Sequence, residues 1–508
     1  NDANNALVGY GVSVVTLGYL RRFLVEVRDT LWPTLGPAPV RLSAAVGSLL
    51  QAITTILTRH EPVLSRTEYS DEERRSLLDG LAEAGSVYRT RIYAEGPGPA
   101  VDVPAEALPR LFALMIAQVD HSLRANRRPD GLFHAYNQLE FTEGPPGVRL
   151  HRLSMMLEGQ VSILSSGLLD PAEAVALLET LRTSPLYRAD QHSYLLYPDR
   201  TLPGFLERNC IAEDDVASCP LLQERVKQGD GRLVVVDAAG QPRFHPDLVN
   251  AEALETRLNL LARDPAWTES VRREAGKVRA AFEHTFHHRA FTGRSGSMFG
   301  FEGLGCIYWH MVAKLLLAVQ EQFFKAQDQG RPEADRLRAS YFDLRAGLGF
   351  NKSPAAYGAF PTDPYSHTPG HSGAQQPGMT GQVKEELLTR LGELGVRLHA
   401  GQLRFQPLLL RAGEFSDEPG AFLYHRHDGV PDTIALPARS LAFTLATTPI
   451  LYHTTTGPGR LRLTRADGSH EDLSGHTLTP AQSACLLARD GAFLRVDVEL
   501  GSGYTPPP

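Results

Sequence analysis

Cysteine is scarce in this chain. The 508 residues hold four, Cys210, Cys219, Cys306 and Cys485, and none forms a CxxC pair. That scatter argues against a disulfide framework and against structural zinc, and free thiols suit a reducing, cytoplasmic compartment. Long apolar runs are also missing. No stretch of about 18 apolar residues is present, so no membrane partner is expected. The start at Asn1 shows neither an initiator Met nor the charged-then-apolar pattern of a signal peptide, and reads as cut from a longer protein or precursor. Arg21, Arg22, Glu26 and Arg28 make the first apolar segment a core helix rather than an anchor. Basic blocks are lacking too. Lys and Arg number 51 against 58 Asp and Glu, a formal charge of −7, which argues against nucleic acid as partner and for a neutral or weakly charged substrate. No GxSxG elbow, P-loop or dinucleotide fingerprint occurs, so no cofactor is expected.

What is present falls into two textures. Up to about residue 400, apolar residues return every three or four positions, predicting helices near 42–59, 71–94, 104–126, 149–167, 171–183, 252–264, 266–285, 304–328, 332–345 and 382–397. Ser70-Asp71 before EERR and Asp170-Pro171 before AEAVALLETL are start signals. An irregular insertion is expected near 186–250, with RLVVVD at 232–237 opening a short hairpin. From 401 to 508 the period changes to two, with turns at Gly457-Pro458-Gly459 and Asp467-Gly468, which predicts an antiparallel β-sandwich.

The longest interruption runs from Asn351 to Glu386 and carries five prolines together with Tyr357, Tyr365, Asp363, His367, His371, Gln375, Gln376 and Lys352. Linkers are poor in aromatics, and ordinary connections are about 4–6 residues, so this composition predicts a rigid polar cleft wall. His367 and His371 have HxxxH spacing, but Pro369 and Gly370 between them oppose a helix, and no metal site is expected. A second stretch, Phe291 to Glu321, is a glycine-rich loop leading into a helix, with Glu302 near its mouth and Trp309 beyond. A helix N-terminus favours the charged carboxylate, whereas burial beside aromatics raises its pKa.

Glycoside cleavage without a metal commonly uses two carboxyl groups. Glu302 is the candidate general acid and Asp363 the candidate base or nucleophile. Each has a plainer reading, a helix cap for Glu302 and a turn residue before Pro for Asp363. Carboxylates also stand beside aromatic, amide or imidazole groups at Asp130 with Tyr136, at Glu158 with Gln160, and at Asp190 with His192 and Tyr194. That combination suits sugar hydroxyls and C–H faces. Glu385 and Glu386 read as first-turn helix charges. Gly293 to Ser297, including Arg294, with Lys352 and the segment Thr368 to Gly373, could cradle an anion.

Some ten to twelve helices ahead of a β module, with polar Gly-aromatic-carboxylate loops between them, resemble the six-hairpin glycosidase superfamily. That group includes glucoamylase-like hydrolases, inverting disaccharide phosphorylases and β-1,2-glucanases. The resemblance implies an (α/α)6 toroid over residues 1–400 followed by the β-sandwich. It implies an enzyme acting on glycosidic bonds of a neutral oligo- or polysaccharide, plausibly a β-glucan, with hydrolysis first and phosphorolysis as runner-up. A polysaccharide lyase, using Tyr365, His367 and Arg294, and a glycan-binding protein without activity are further alternatives.

Overall fold

The computed structural model describes residues 11–36, 38–142, 144–199, 204–287, 306–348, 352–357, 365–368, 376–377 and 381–507. About half of the structure is helical, and a strand-rich region of small sheets follows. The principal helices are α1 (Val14–Glu26), α2 (Ala44–His60), α3 (Asp71–Glu95), α4 (Ala107–Ala125), α5 (Leu157–Ser165) and α6 (Pro171–Thr183). After them come α7 (Pro220–Gln228), α8 (Ala251–Leu261), α9 (Thr268–Phe286), α10 (Trp309–Asp328), α11 (Glu333–Ala346), α12 (Gly381–Glu393) and α13 (Pro480–Leu487). Their starts follow local chemistry. Ser70 and Glu73 close a capping box on α3, and Asp170 and Glu173 close another on α6, where Pro171 fills a first-turn position with no amide to satisfy.

Helix α10 is the hub. Twelve of its twenty residues are buried, from Trp309 to Ala326, and a helix apolar on nearly every side must be surrounded. Helices α5, α6, α11 and α12 pack around it, and α1 packs on α5 and α4. The chain of neighbours α1, α5, α10, α12 forms one wall; α4 packs on α1, and α6 and α11 pack on α10 and on each other. Where α1 crosses α5, a Cβ on Gly18 would lie 3.0 Å from the Ser162 carbonyl oxygen, so the small residue sets the approach. One hydrophobic cluster, from Val14 to Leu409, joins these helices.

Residues 204–287 do not share that core. Their own cluster runs from Ile211 to Phe286 and draws on no residue outside that span. The hairpin expected from RLVVVD is there, Val234–Val236 against Pro242–Phe244, and α8 and α9 close over it. The module's core therefore extends past residue 250, through two helices whose periodicity alone resembles that of the main body.

Two expectations are corrected. Residues 148–152 are not the first turn of a helix; Val148–Arg152 is a strand paired antiparallel with Tyr136–Phe141, and α5 begins only at Leu157. Alternation in VRLHR, with Val148 buried and Arg149 exposed, is the signal that a helical reading overrode. In the C-terminal region the five-stranded sheet is mixed. Thr448–His453 runs parallel to Phe493–Glu499, pairing Ile450 with Val496, while the other pairs in the sheet are antiparallel. Parallel neighbours need a long crossover, and here the connection passes through two strands and α13. A further hairpin, Gly420–His425 with Pro431–Leu436, stands as a separate two-stranded sheet. No helix among the described residues is long and apolar enough to cross a membrane.

Candidate functional site

The N-terminal ends of α5, α10 and α12 bring the chemistry of the wall together. Glu158 lies in the first turn of α5 and is buried, with 6% of its surface exposed. The Tyr136 hydroxyl, also buried, donates to its Oε2 at 2.7 Å. Burial first, and the charge of Glu158 next, push the Tyr136 phenol well above its usual range, so it stays a neutral donor. Gln160 holds the neighbouring backbone by accepting from the Phe133 amide at 2.9 Å and donating to the Phe133 carbonyl at 2.7 Å.

On α10 and α12 the pair is His310 and Glu385. Glu385 is 4% exposed, and its Oε2 lies 3.5 Å from His310 Nε2, beyond a good hydrogen bond. Among the described residues that oxygen has no hydrogen-bond partner. The other ring nitrogen, Nδ1, is 3.1 Å from the Tyr308 hydroxyl. Burial, then Lys314, draws the His310 pKa down; Glu385 opposes this and Lys384 reinforces it. Tyr19 on α1, 38% exposed, lies within electrostatic reach of both halves of the wall. Its phenol is raised chiefly by burial and then by Glu321, against the opposing pull of Arg22, with Glu158 and Glu385 contributing further. Carboxylates from α5, α10 and α12 thus act on one hydroxyl.

Tyr308 also leads to the long loop. Ile307–Tyr308 pairs antiparallel with Tyr365–Thr368, and that strand pairs with Gln376–Pro377. The register sets Tyr308 opposite His367 and His367 opposite Gln376, so two of the residues expected from sequence share a row with Tyr308. Tyr365 lies on the same middle strand, opposite Pro377.

The other expected residues are placed as follows. Trp309 is wholly buried with its ring against Tyr357, centroids 5.3 Å apart, and Lys352 Nζ stands 5.1 Å above it. Lys352 also donates to the Gln191 carbonyl, and burial, opposed by Asp190, pushes its amine down to about 8. These three residues form a packed root for the loop. Asp190 is held by Arg188 at 2.9 Å, which draws its carboxyl below the usual range. His192 bridges Tyr187 and Asp343, and Tyr194 is buried. Asp130 takes the Arg128 guanidinium and the Leu132 amide in a turn. Glu302, Asp363, Arg294, His371 and Gln375 lie outside the described residues.

Sequence reasoning gave Tyr19, Tyr308 and His310 no role at the site and read Glu385 as a first-turn charge. The missed signal is a polar stripe. With α12 starting at Gly381, Glu385, Thr389 and Glu393 recur at intervals of four, and all three are buried. Glu386, one position round, faces Arg345 at 2.6 Å instead.

Away from the wall, the module contains a cavity of about 310 Å³ lined by Glu207, Arg208, Cys210, Asp215 and His284. His284 Nδ1 lies 2.7 Å from Asp215 there. No group of three or more His, Cys, Asp or Glu able to hold a metal ion occurs among the described residues.

Compared with known proteins, residues 202–289 match the family model described as GH149 phosphorylase insertion domain 2. No curated protein matches the chain. The matched span coincides with the module that has its own core, and the match supports a place for this chain among carbohydrate-active, phosphorylase-like enzymes of the glycoside hydrolase families.

Proposed function

We propose that this protein is a glycoside phosphorylase that cleaves a neutral oligo- or polysaccharide, a β-glucan in the first instance, by transferring a glycosyl unit to inorganic phosphate. The observation that carries the reading is the match of residues 202–289 to a phosphorylase insertion domain. In such a reaction a carboxylic acid gives its proton to the departing glycosidic oxygen. A phosphate oxygen forms the new bond to the anomeric carbon, so one acid and an anion cradle suffice where hydrolysis commonly needs two carboxyl groups. Glu302 remains the candidate acid, and buried Glu158, held by Tyr136, is the alternative. Asp363 would be needed only if water replaced phosphate. Tyr308, His367 and Gln376 share one row across the three short strands, which supports a polar site there. The packing of α1, α5, α6, α11 and α12 in succession about α10 and one another is compatible with an (α/α)6 ring, and the reading takes the strand-rich region as a bracing β-sandwich.

The test is product analysis on a panel of α- and β-glucans with and without inorganic phosphate. Sugar phosphate formed only when phosphate is present is the expected result, and Glu302→Gln should lower the rate by at least about a hundredfold. Free sugar released at equal rates without phosphate would replace this reading with hydrolysis. Full activity in Glu302→Gln would transfer the acid role to another carboxylate.

A further inference from the structure

The cavity of the inserted module brings a thiol, an imidazole and a carboxylate to one wall. Its volume, about 310 Å³, lies at the lower end of the range for small-molecule sites. Cys210, Asp215 and His284 line it together with Glu207 and Arg208. They come from three pieces of chain: the short helix Phe205–Arg208 and the turn after it, the helix Glu213–Ser218, and the last turn of α9. Asp215 Oδ2 lies 2.7 Å from His284 Nδ1, so the neutral ring keeps its proton on Nδ1 and its lone pair on Nε2. The Cys210 sulfur stands 3.6 Å from the Leu206 carbonyl oxygen, to which Arg243 Nη1 also donates. The Arg243 guanidinium is within hydrogen-bonding and charge-interaction range of that sulfur. The other three thiols are placed differently. Cys219 is wholly buried in the apolar core of the module, Cys306 is buried, and Cys485 packs partly buried on the core of the C-terminal sheet.

We propose that this cavity is a thiol-exchange site, where Cys210 forms a mixed disulfide with a low-mass disulfide that carries both amino and carboxylate groups. The nucleophile of such an exchange is the thiolate. His284 Nε2 takes the Cys210 proton, directly or through one water, and the sulfur attacks one sulfur of the reagent. The reagent's S–S bond breaks as the new S–S bond to Cys210 forms. Its other half departs as a thiolate and collects the proton from His284. One thiol and one disulfide are consumed and one of each is produced, so no separate oxidant enters. Arg243 offers the attacking sulfur a positive partner, and Asp215 is a positioning residue that fixes the ring. Amino-acid character in the reagent follows from the lining. Glu207 and Arg208 place both signs of charge in one small space, which complements a zwitterion better than an apolar molecule. The site lies in the module with its own core and takes no part in glycosidic chemistry, so the inference stands apart from phosphorolysis.

The experiment treats the whole folded chain with oxidised glutathione at neutral pH and follows each cysteine against time by peptide mass spectrometry. Cys210 is expected to take up one glutathione at least about tenfold faster than Cys485, with Cys219 and Cys306 remaining thiols. His284→Gln should slow Cys210 by about tenfold and leave Cys485 unchanged. Hydroxyethyl disulfide, which is uncharged, tests the recognition: the ratio of the Cys210 rate to the Cys485 rate should fall with it, and Glu207→Gln should lower the same ratio for glutathione. Both substituted side chains lie at the surface of the cavity, and circular dichroism checks that each variant keeps the wild-type fold. Equal rates at Cys210 and Cys485 overturn the inference, as does a Cys210 rate indifferent to His284→Gln. A ratio that is the same for the charged and uncharged disulfides overturns the assignment of an amino-acid reagent.

Discussion

The inserted module and the helical wall both bury charge, but they neutralise it differently. In the module Arg225 is wholly buried on the Trp267 ring and pairs with Asp230, which Arg232 also holds. Glu274, 4% exposed, is flanked by Arg273 and Lys277. Opposite full charges of this kind fix geometry and hold protons in place. Near the N-terminal ends of α5 and α12, by contrast, Glu158 is held by a tyrosine and Glu385 faces an imidazole, whereas Glu393 further along α12 pairs with Arg345 and Arg390. A neutral hydroxyl or an imidazole beside a buried carboxylate does not neutralise it with a fixed opposite charge, and buried groups of this kind recur at functional sites.

The comparison breaks most sharply at Glu158. If Glu158 rather than Glu302 is the acid, Glu158→Gln, which keeps an acceptor for Tyr136, is expected to cut turnover at least about a hundredfold while moving the thermal midpoint by a few degrees at most. Unchanged turnover, measured beside calorimetry, would return Glu158 to the structural charges. Arg225→Ala should do the reverse. Removing one partner of a buried pair costs about 3–5 kcal/mol, so the module should melt earlier as a separate transition while glycan turnover persists. A single unshifted transition would show that the module's ion pair contributes little.

Acid should act on the same element more mildly. The hydrogen bond from Arg232 chiefly holds the Asp230 carboxyl down at about 2, against an ordinary value of 3.8. A folded-state pKa below the unfolded one stabilises above the unfolded value and is lost as pH falls through the folded one. Trp267 fluorescence should therefore report module opening between about pH 4 and pH 2, ahead of the wall's loss of helical circular dichroism. The smallest effect is expected at Leu423, 68% exposed on the isolated hairpin: Leu423→Ser should change stability by about 0.5 kcal/mol or less in chemical denaturation.

Much of the helical layout was legible because its signals are local. Ser70 and Asp170 announce α3 and α6, and the three-four spacing of α10 and α11 needs no tertiary knowledge. The strand at 148–152 was not legible in that way. A five-residue alternation embedded in apolar sequence becomes a strand only because Tyr136–Phe141 is there to pair with it. Membership of α8 and α9 in the module was equally hidden, since amphipathic spacing says that a face is buried and not against which core. At the site, loop composition drew attention to His367 and Gln376, but His310 and Glu385 sit on helices 75 positions apart, and only packing sets them face to face.

The self-contained core of residues 211–286 also bears on the order in which the chain matures during synthesis. Everything this module needs to fold is synthesised before α10 begins. The wall, whose cluster spans Val14 to Leu409, must hold α1, α4 and α5 without their hub until then. Local contacts form early and long-range ones late. The nascent module therefore becomes a finished bead on an unfinished thread, and the apolar faces of α1 and α5 are the surfaces that chaperones would have to shield during that interval.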